Sequence, residues 1–208
     1  MILRILLILF FAICAPVLPV AFANPGLGVG DQVPSFTETD VSGVKFDLKS
    51  YLDSVLIISI ANHSSYKRLT SLMKSANIEV LKKRPDLNLT FVSFADVSAV
   101  PRLFKGIALR AIRNISVETK RELNLLYKEE SLNLRRDQTI SHIIPDWEGR
   151  VWIKMQVEVK DQQGYYFWVV KDGRVVALFH EGMKNISKRY VDSILKNFSF
   201  SQTDVTKK

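Results

Sequence analysis

Val55-Leu56-Ile57-Ile58-Ser59-Ile60-Ala61, followed at once by Asn62-His63-Ser64-Ser65-Tyr66, decides how this chain is read. The first seven residues are an almost unbroken apolar, β-branched run, the pattern of a strand covered on both faces. After the polar tetrapeptide, Tyr66, Leu69, Leu72, Met73, Ala76 and Val80 recur at helical spacing, and Pro85 marks the end of that helix. Ser64 or Ser65 is expected to cap it. A buried strand that runs straight into a helix is the first half of a crossover between parallel strands.

Working outward, Leu89–Ala95 is a second buried-type strand that ends at Asp96. Pro101 opens a long polar and basic helical region, residues 101–134, which reads as an elaborated crossover or an inserted lid. Gly106 and Asn114–Ser116 are expected to divide it, with Thr119 and Glu122 forming a capping box. Thr139–Ile144 is a third strand, and Pro145-Asp146-Trp147-Glu148-Gly149 ends it. Tyr165–Val170 and Arg174–Phe179 flank Lys171-Asp172-Gly173, and Asp-Gly between apolar runs is a strong hairpin signal. A last helix aligns Ile186, Tyr190, Val191, Ile194, Leu195 and Phe198. Upstream, Ser42–Leu48 is a short extended stretch. The order gives an α/β fold: a mixed central sheet with helices on both faces, closed by a C-terminal β-hairpin and helix.

The 208 residues are 47% hydrophobic and 24% charged, the composition of a folded protein rather than a disordered or polytopic membrane chain. Arg4, the apolar Ile5–Ile13, the helix breakers Pro16 and Pro19, and Ala21-Phe22-Ala23 form the pattern of a cleavable export signal over residues 1–23. Cleavage is expected after Ala23. The folded domain is then expected over 24–200, with 201–208 a polar tail and the protein periplasmic or extracellular, not integral to a membrane once cleaved. Sequons at Asn62, Asn88, Asn114, Asn185 and Asn197 matter only in a eukaryotic secretory pathway. The one cysteine, Cys14, falls inside the leader. A mature chain without thiols has no disulfide, no thiolate metal site and no cysteine nucleophile, and this favours a bacterial periplasm.

The ordered set of motifs resembles the thioredoxin-like superfamily, in the style of redoxins and thiol peroxidases. Gly30-Asp31-Gln32-Val33-Pro34-Ser35-Phe36 matches its "G-x-x-x-P-x-F" opening, and Gly43 with Phe46-Asp47-Leu48 its first hairpin. Tyr51-Leu52 before Val55–Ile58 matches the first core strand, Phe91-Val92-Ser93 the second, and Phe167–Val176 the "f-l-i-D-k-d-G-k-i-v" hairpin. Asp146-Trp147-Glu148-Gly149 is similar to an extra hairpin in some redoxin-like proteins. The resemblance implies reactive cysteines just after the first core strand, where the helix dipole lowers a thiol pKa. Here that place holds Asn62-His63-Ser64-Ser65. It also implies a cis-proline before the hairpin strand, where Tyr165 stands. Thiol–disulfide exchange needs a sulfur nucleophile, so the expectation is a member without redox chemistry.

His63 beside Ser64 and Ser65 is the weak catalytic candidate, an acid–base and nucleophile pair that needs a third group to aim it. Asn62, His63, Tyr165 and Tyr166 are expected to form a binding surface at the former redox end. His142 and His180 are the remaining histidines. None of the three shares ligand spacing with another, so no metal is expected, and no cofactor motif occurs. The chain carries a net charge of +8. At about 100° per residue, Arg102, Lys105, Arg110 and Arg113 share one helix face, with Phe104, Ile107, Ala108 and Ala111 in the opposite sector. That face suits an anionic surface or an acidic partner. Another exported or envelope protein is the expected partner; nucleic acid is not.

Overall fold

The computed structural model describes residues 26–52, 54–135, 138–157 and 164–199. The leader with Cys14 and the tail 201–208 lie outside them. The elements are β1 (Thr37–Thr39), β2 (Lys45–Asp47), β3 (Val55–Ala61), α1 (His63–Lys83), β4 (Leu89–Asp96), α2 (Lys105–Glu129), β5 (Thr139–Asp146), α3 (Arg150–Lys154), β6 (Tyr165–Lys171), β7 (Arg174–His180) and α4 (Ile186–Asn197).

Five strands form one sheet in the order β5-β4-β3-β6-β7. β3, β4 and β5 run parallel, as strands joined through helices must, while β6 runs antiparallel to its two neighbours, β3 and β7. β3 lies in the middle, and all seven of its residues are buried. Alternation sends Leu56, Ile58 and Ile60 to one face with Phe36, Phe46, Trp152 and Trp168. Val55, Ile57 and Ala61 go to the other, with Leu69, Val80, Phe167 and Tyr190. Helices lie on both faces, unequally. α1, α2 and α4 share the second face, and the first is covered by the chain from Leu27 to Leu48 and by the single turn of α3. The β6–β7 turn carries Asp172 at φ 51° and Gly173 at φ 75°, the paired left-handed residues of a tight hairpin.

Two local expectations are corrected. α2 runs unbroken for 25 residues through Gly106 and Asn114–Ser116. Glu122, read as half of a capping box, instead pairs with Lys74 of α1, and Glu130 pairs with Lys82, so the two helices are tied along their length. Residues Asp146–Gly149 form no hairpin. The Asp146 carboxylate accepts from the Arg150 and Val151 N–H groups at 3.1 and 2.8 Å and so starts α3. Free N–H groups in a helix's first turn draw a carboxylate at that position.

The N-terminal hairpin is fastened by a buried polar chain. Asp40 Oδ2 meets His142 Nδ1 at 2.9 Å, and His142 Nε2 meets the Tyr51 hydroxyl at 3.0 Å. Asp40 Oδ1 accepts from Ser42 and Val44 N–H at 2.8 and 2.9 Å. Burial raises the Asp40 pKa, but the hydrogen bonds from His142 and the two backbone groups outweigh it and hold the carboxyl below its usual range. A folded pKa below the unfolded one adds stability that is complete above about pH 4 and is lost as the pH falls through the folded value. Asp40→Asn is therefore expected to cost about 1–3 kcal/mol at neutral pH. It should also flatten the acid limb, so that urea titrations of mutant and wild type converge towards low pH.

Candidate functional site

The parallel strands β3 and β4 end on the same side of the sheet, and β3 hands the chain directly to α1. The helix needs an acceptor for its first-turn N–H groups, and Asn62 supplies it. Its Oδ1 accepts from the Ser65 N–H at 3.0 Å and from the Ser64 hydroxyl at 2.8 Å. Asn62, rather than either serine, is the cap. Only an oxygen one residue before the helix reaches the third N–H from the cap.

Ser65 has no exposed surface. Its Oγ lies 3.0 Å from both Asn62 Oδ1 and the Gly164 carbonyl, so its single proton is shared between acceptors. That contact ties α1 to the start of β6, where Tyr165 pairs with Ala61. The structure thus brings together Asn62, Ser64, Ser65 and Tyr165. His63 is the first residue of α1, and its side chain lies outside the described residues. Tyr165 and Tyr166 are each only 5% exposed. Tyr166 stacks on Trp168 and His180. Burial pushes the Tyr165 phenol up, and the nearby Glu181 charge adds to this. No peptide bond among the described residues is cis.

Sequence reasoning missed the bracket on one side of the site. Arg68 donates to the Glu181 carboxylate through Nε and Nη2, at 2.6 and 3.1 Å, and its third nitrogen donates to the Ser64 carbonyl at 3.1 Å. The hydrogen bonds that Arg68 donates to the Glu181 carboxylate push the guanidinium pKa further up. The pair spans 113 residues of chain, and no local pattern announces it. Beside Asn62 lies an apolar niche of about 80 Å³ lined by Tyr66, Val97, Ile112, Ile115 and Ile143. A larger groove of about 590 Å³ lies at the start of β5, away from Asn62, between Lys120, Tyr127, Lys128, Leu132 and Arg135. Among the described residues no group of three or more His, Cys, Asp or Glu side chains is placed to hold a metal ion.

The basic residues are not one free stripe. Lys105 Nζ lies 4.9 Å over the Trp147 ring, and Arg113 Nε donates to the Val41 carbonyl at 2.9 Å. Arg102 and Arg110 are exposed. In the opposite sector, Phe104 and Ile107 are 54% and 67% exposed. The residues that face the sheet lie further along α2: Ile115, Ser116, Thr119, Leu123 and Tyr127.

No protein-family profile matches the chain, and no curated protein matches it. Solved structures do. A protein assigned as thiol:disulfide interchange protein DsbE from Chlorobium tepidum superimposes with a TM-score of 0.52 at 12% identity, over 82% of this chain and 97% of its own. BsSco, of the Sco family of cytochrome c oxidase assembly proteins, gives 0.50 at 12%, over 85% and 99%. An uncharacterised conserved protein from Geobacillus kaustophilus gives 0.52 at 14%, over 82% and 84%. The fold is thioredoxin-like. At these identities the likeness extends to architecture alone. Within it, this thioredoxin-like chain places an asparagine–serine cap at the head of α1, and the single cysteine of its sequence is Cys14.

Removing the cap is expected to cost about 1 kcal/mol in Asn62→Ala and little in Asn62→Asp, which keeps an acceptor. Equilibrium urea denaturation checks this, with a shifted midpoint and an unchanged slope.

Proposed function

We propose that this is an exported thioredoxin-fold protein that has given up thiol chemistry. In this reading it is a binding or accessory module of the cell envelope, using the end of the sheet around Asn62 to recognise another exported protein. The leader is removed after Ala23, residues 24–200 form the domain and 201–208 a tail. One observation carries the reading. At the position where the fold is suited to activating a nucleophile, the hydroxyl of Ser65 is buried and shared between two carbonyl-type oxygens. A serine becomes a nucleophile when a base takes its proton, and here that proton is committed to a structural cap. The adjacent niche supports recognition of a protein. At about 80 Å³ it is well below the ~300 Å³ at which small-molecule pockets begin, and it suits one apolar side chain of a partner.

The competing reading is a non-thiol enzyme in which His63 serves as acid–base and Ser64 as nucleophile. The test is cross-linked capture from the protein's own exported fraction, at low and high salt, with wild type and Ile112→Arg, which fills the niche with a charge. The proposal expects one defined protein retained at both salt levels by wild type and lost by the variant. A turnover activity abolished by His63→Ala with unchanged folding would establish the enzyme instead.

A further inference from the structure

α2 is too long for the strands beside it. Twenty-five residues at 1.5 Å each span about 37 Å, whereas the eight residues of β5 span about 26 Å. The far end of the helix is held, with Tyr127 buried and Glu130 paired to Lys82. The excess of roughly two turns therefore projects at the N-terminal end, at the same end of the sheet as Asn62. Leu103 is 92% exposed there, beside the exposed Ile107 and Phe104. Three large apolar side chains exposed within five residues call for a covering surface.

The charge on the projecting segment itself has one sign. From Pro101 to Val117 the chain holds Arg102, Lys105, Arg110 and Arg113 and no acid. Acids on the neighbouring loops are committed elsewhere. Asp96 accepts from Ser98 and the Trp152 indole, Asp146 caps α3, and Glu148 pairs with Arg150. Lys105 also draws the half-buried Trp147 to the rim, an amphipathic ring of the kind that favours a membrane–water boundary. A projecting apolar tip ringed by cations is shaped to enter a soft surface. Apolar side chains pass below the headgroups while basic ones remain among anionic lipids.

We propose that residues 102–113 are a membrane-docking tip that inserts Leu103, Phe104 and Ile107 into the interface of an anionic bilayer, with Arg102 and Arg110 against the headgroups. This goes beyond the partner-binding reading and does not depend on it. No described helix is long and apolar enough to cross a membrane, and the tip needs none, since it lies in the interface.

The leader is itself apolar, so the test must report position. In the full chain carrying Cys14→Ser, an environment-sensitive fluorophore is attached at Ala111→Cys, on the tip, or at Lys188→Cys, exposed on α4. Vesicles of phosphatidylcholine with phosphatidylglycerol are compared with phosphatidylcholine alone. The proposal expects a blue shift at position 111 with the anionic vesicles only, reversed by high salt and absent at position 188. Arg102→Gln with Arg110→Gln should weaken binding about 25-fold, taking roughly fivefold per cation, and Leu103→Glu with Ile107→Glu should abolish it. No shift at 111, an equal shift with neutral vesicles, or the same shift at 188 would overturn the proposal. The first of these would leave the tip to a protein partner.

Discussion

The rest of the molecule depends on how β3 ends. Seven buried residues hold that strand in the middle of the sheet, packed on both faces, and at Ala61 the chain must turn from dry interior to a helix start within one residue. Backbone N–H groups in that first turn lack partners and are costly to leave unmade. Asn62 resolves the problem with its own amide oxygen, and Ser65 extends the solution to the Gly164 carbonyl, so that β3, α1 and β6 meet in one hydrogen-bonded knot. A thioredoxin-like fold has the same geometry to satisfy whatever its chemistry. In this chain the groups that satisfy it are oxygens.

Most of the architecture was legible because its signals are local. Val55–Ala61 and Leu89–Ala95 read as buried strands from composition alone, and Asp172-Gly173 fixed the hairpin because few residues accept two successive positive φ values. The errors have equally physical causes. Gly106 falls in the first turn of α2, where a helix tolerates it, and the tie between Glu122 and Lys74 comes from a helix 48 residues earlier. The cap was assigned to a serine when the asparagine before it holds the position. A helical wheel places Phe104 and Ile107 in one apolar sector but does not know where the sheet stops, so their exposure is not legible in the sequence.

The candidate site was legible in place and not in state. Its address, the junction of β3 and α1, followed from sequence order. That the two tyrosines turn into the core, and that Arg68 and Glu181 bracket the helix, depends on contacts across about a hundred residues. The Asp40–His142–Tyr51 chain is of the same kind. His142 in isolation is one histidine in a strand, and its partners lie 102 and 91 residues away. The two ends of α2 show the same logic in packing. Where the helix lies over the sheet it is anchored, and where it overruns the sheet its apolar residues are left bare.

The central claim is that the junction of β3 and α1 holds two side chains, Asn62 and Ser65, close enough to be bridged. Asn62 and Ser65 flank two residues, as the cysteines of a Cys-x-x-Cys motif do, and their side-chain oxygens already lie 3.0 Å apart. The direct measurement is therefore made on Asn62→Cys with Ser65→Cys, in a background of Cys14→Ser, by titrating free thiols under oxidising and reducing conditions. The account predicts a reversible intramolecular disulfide, with one thiol ionising well below the ordinary cysteine range because it caps α1. Two thiols that stay free under oxidant in a folded protein would contradict it.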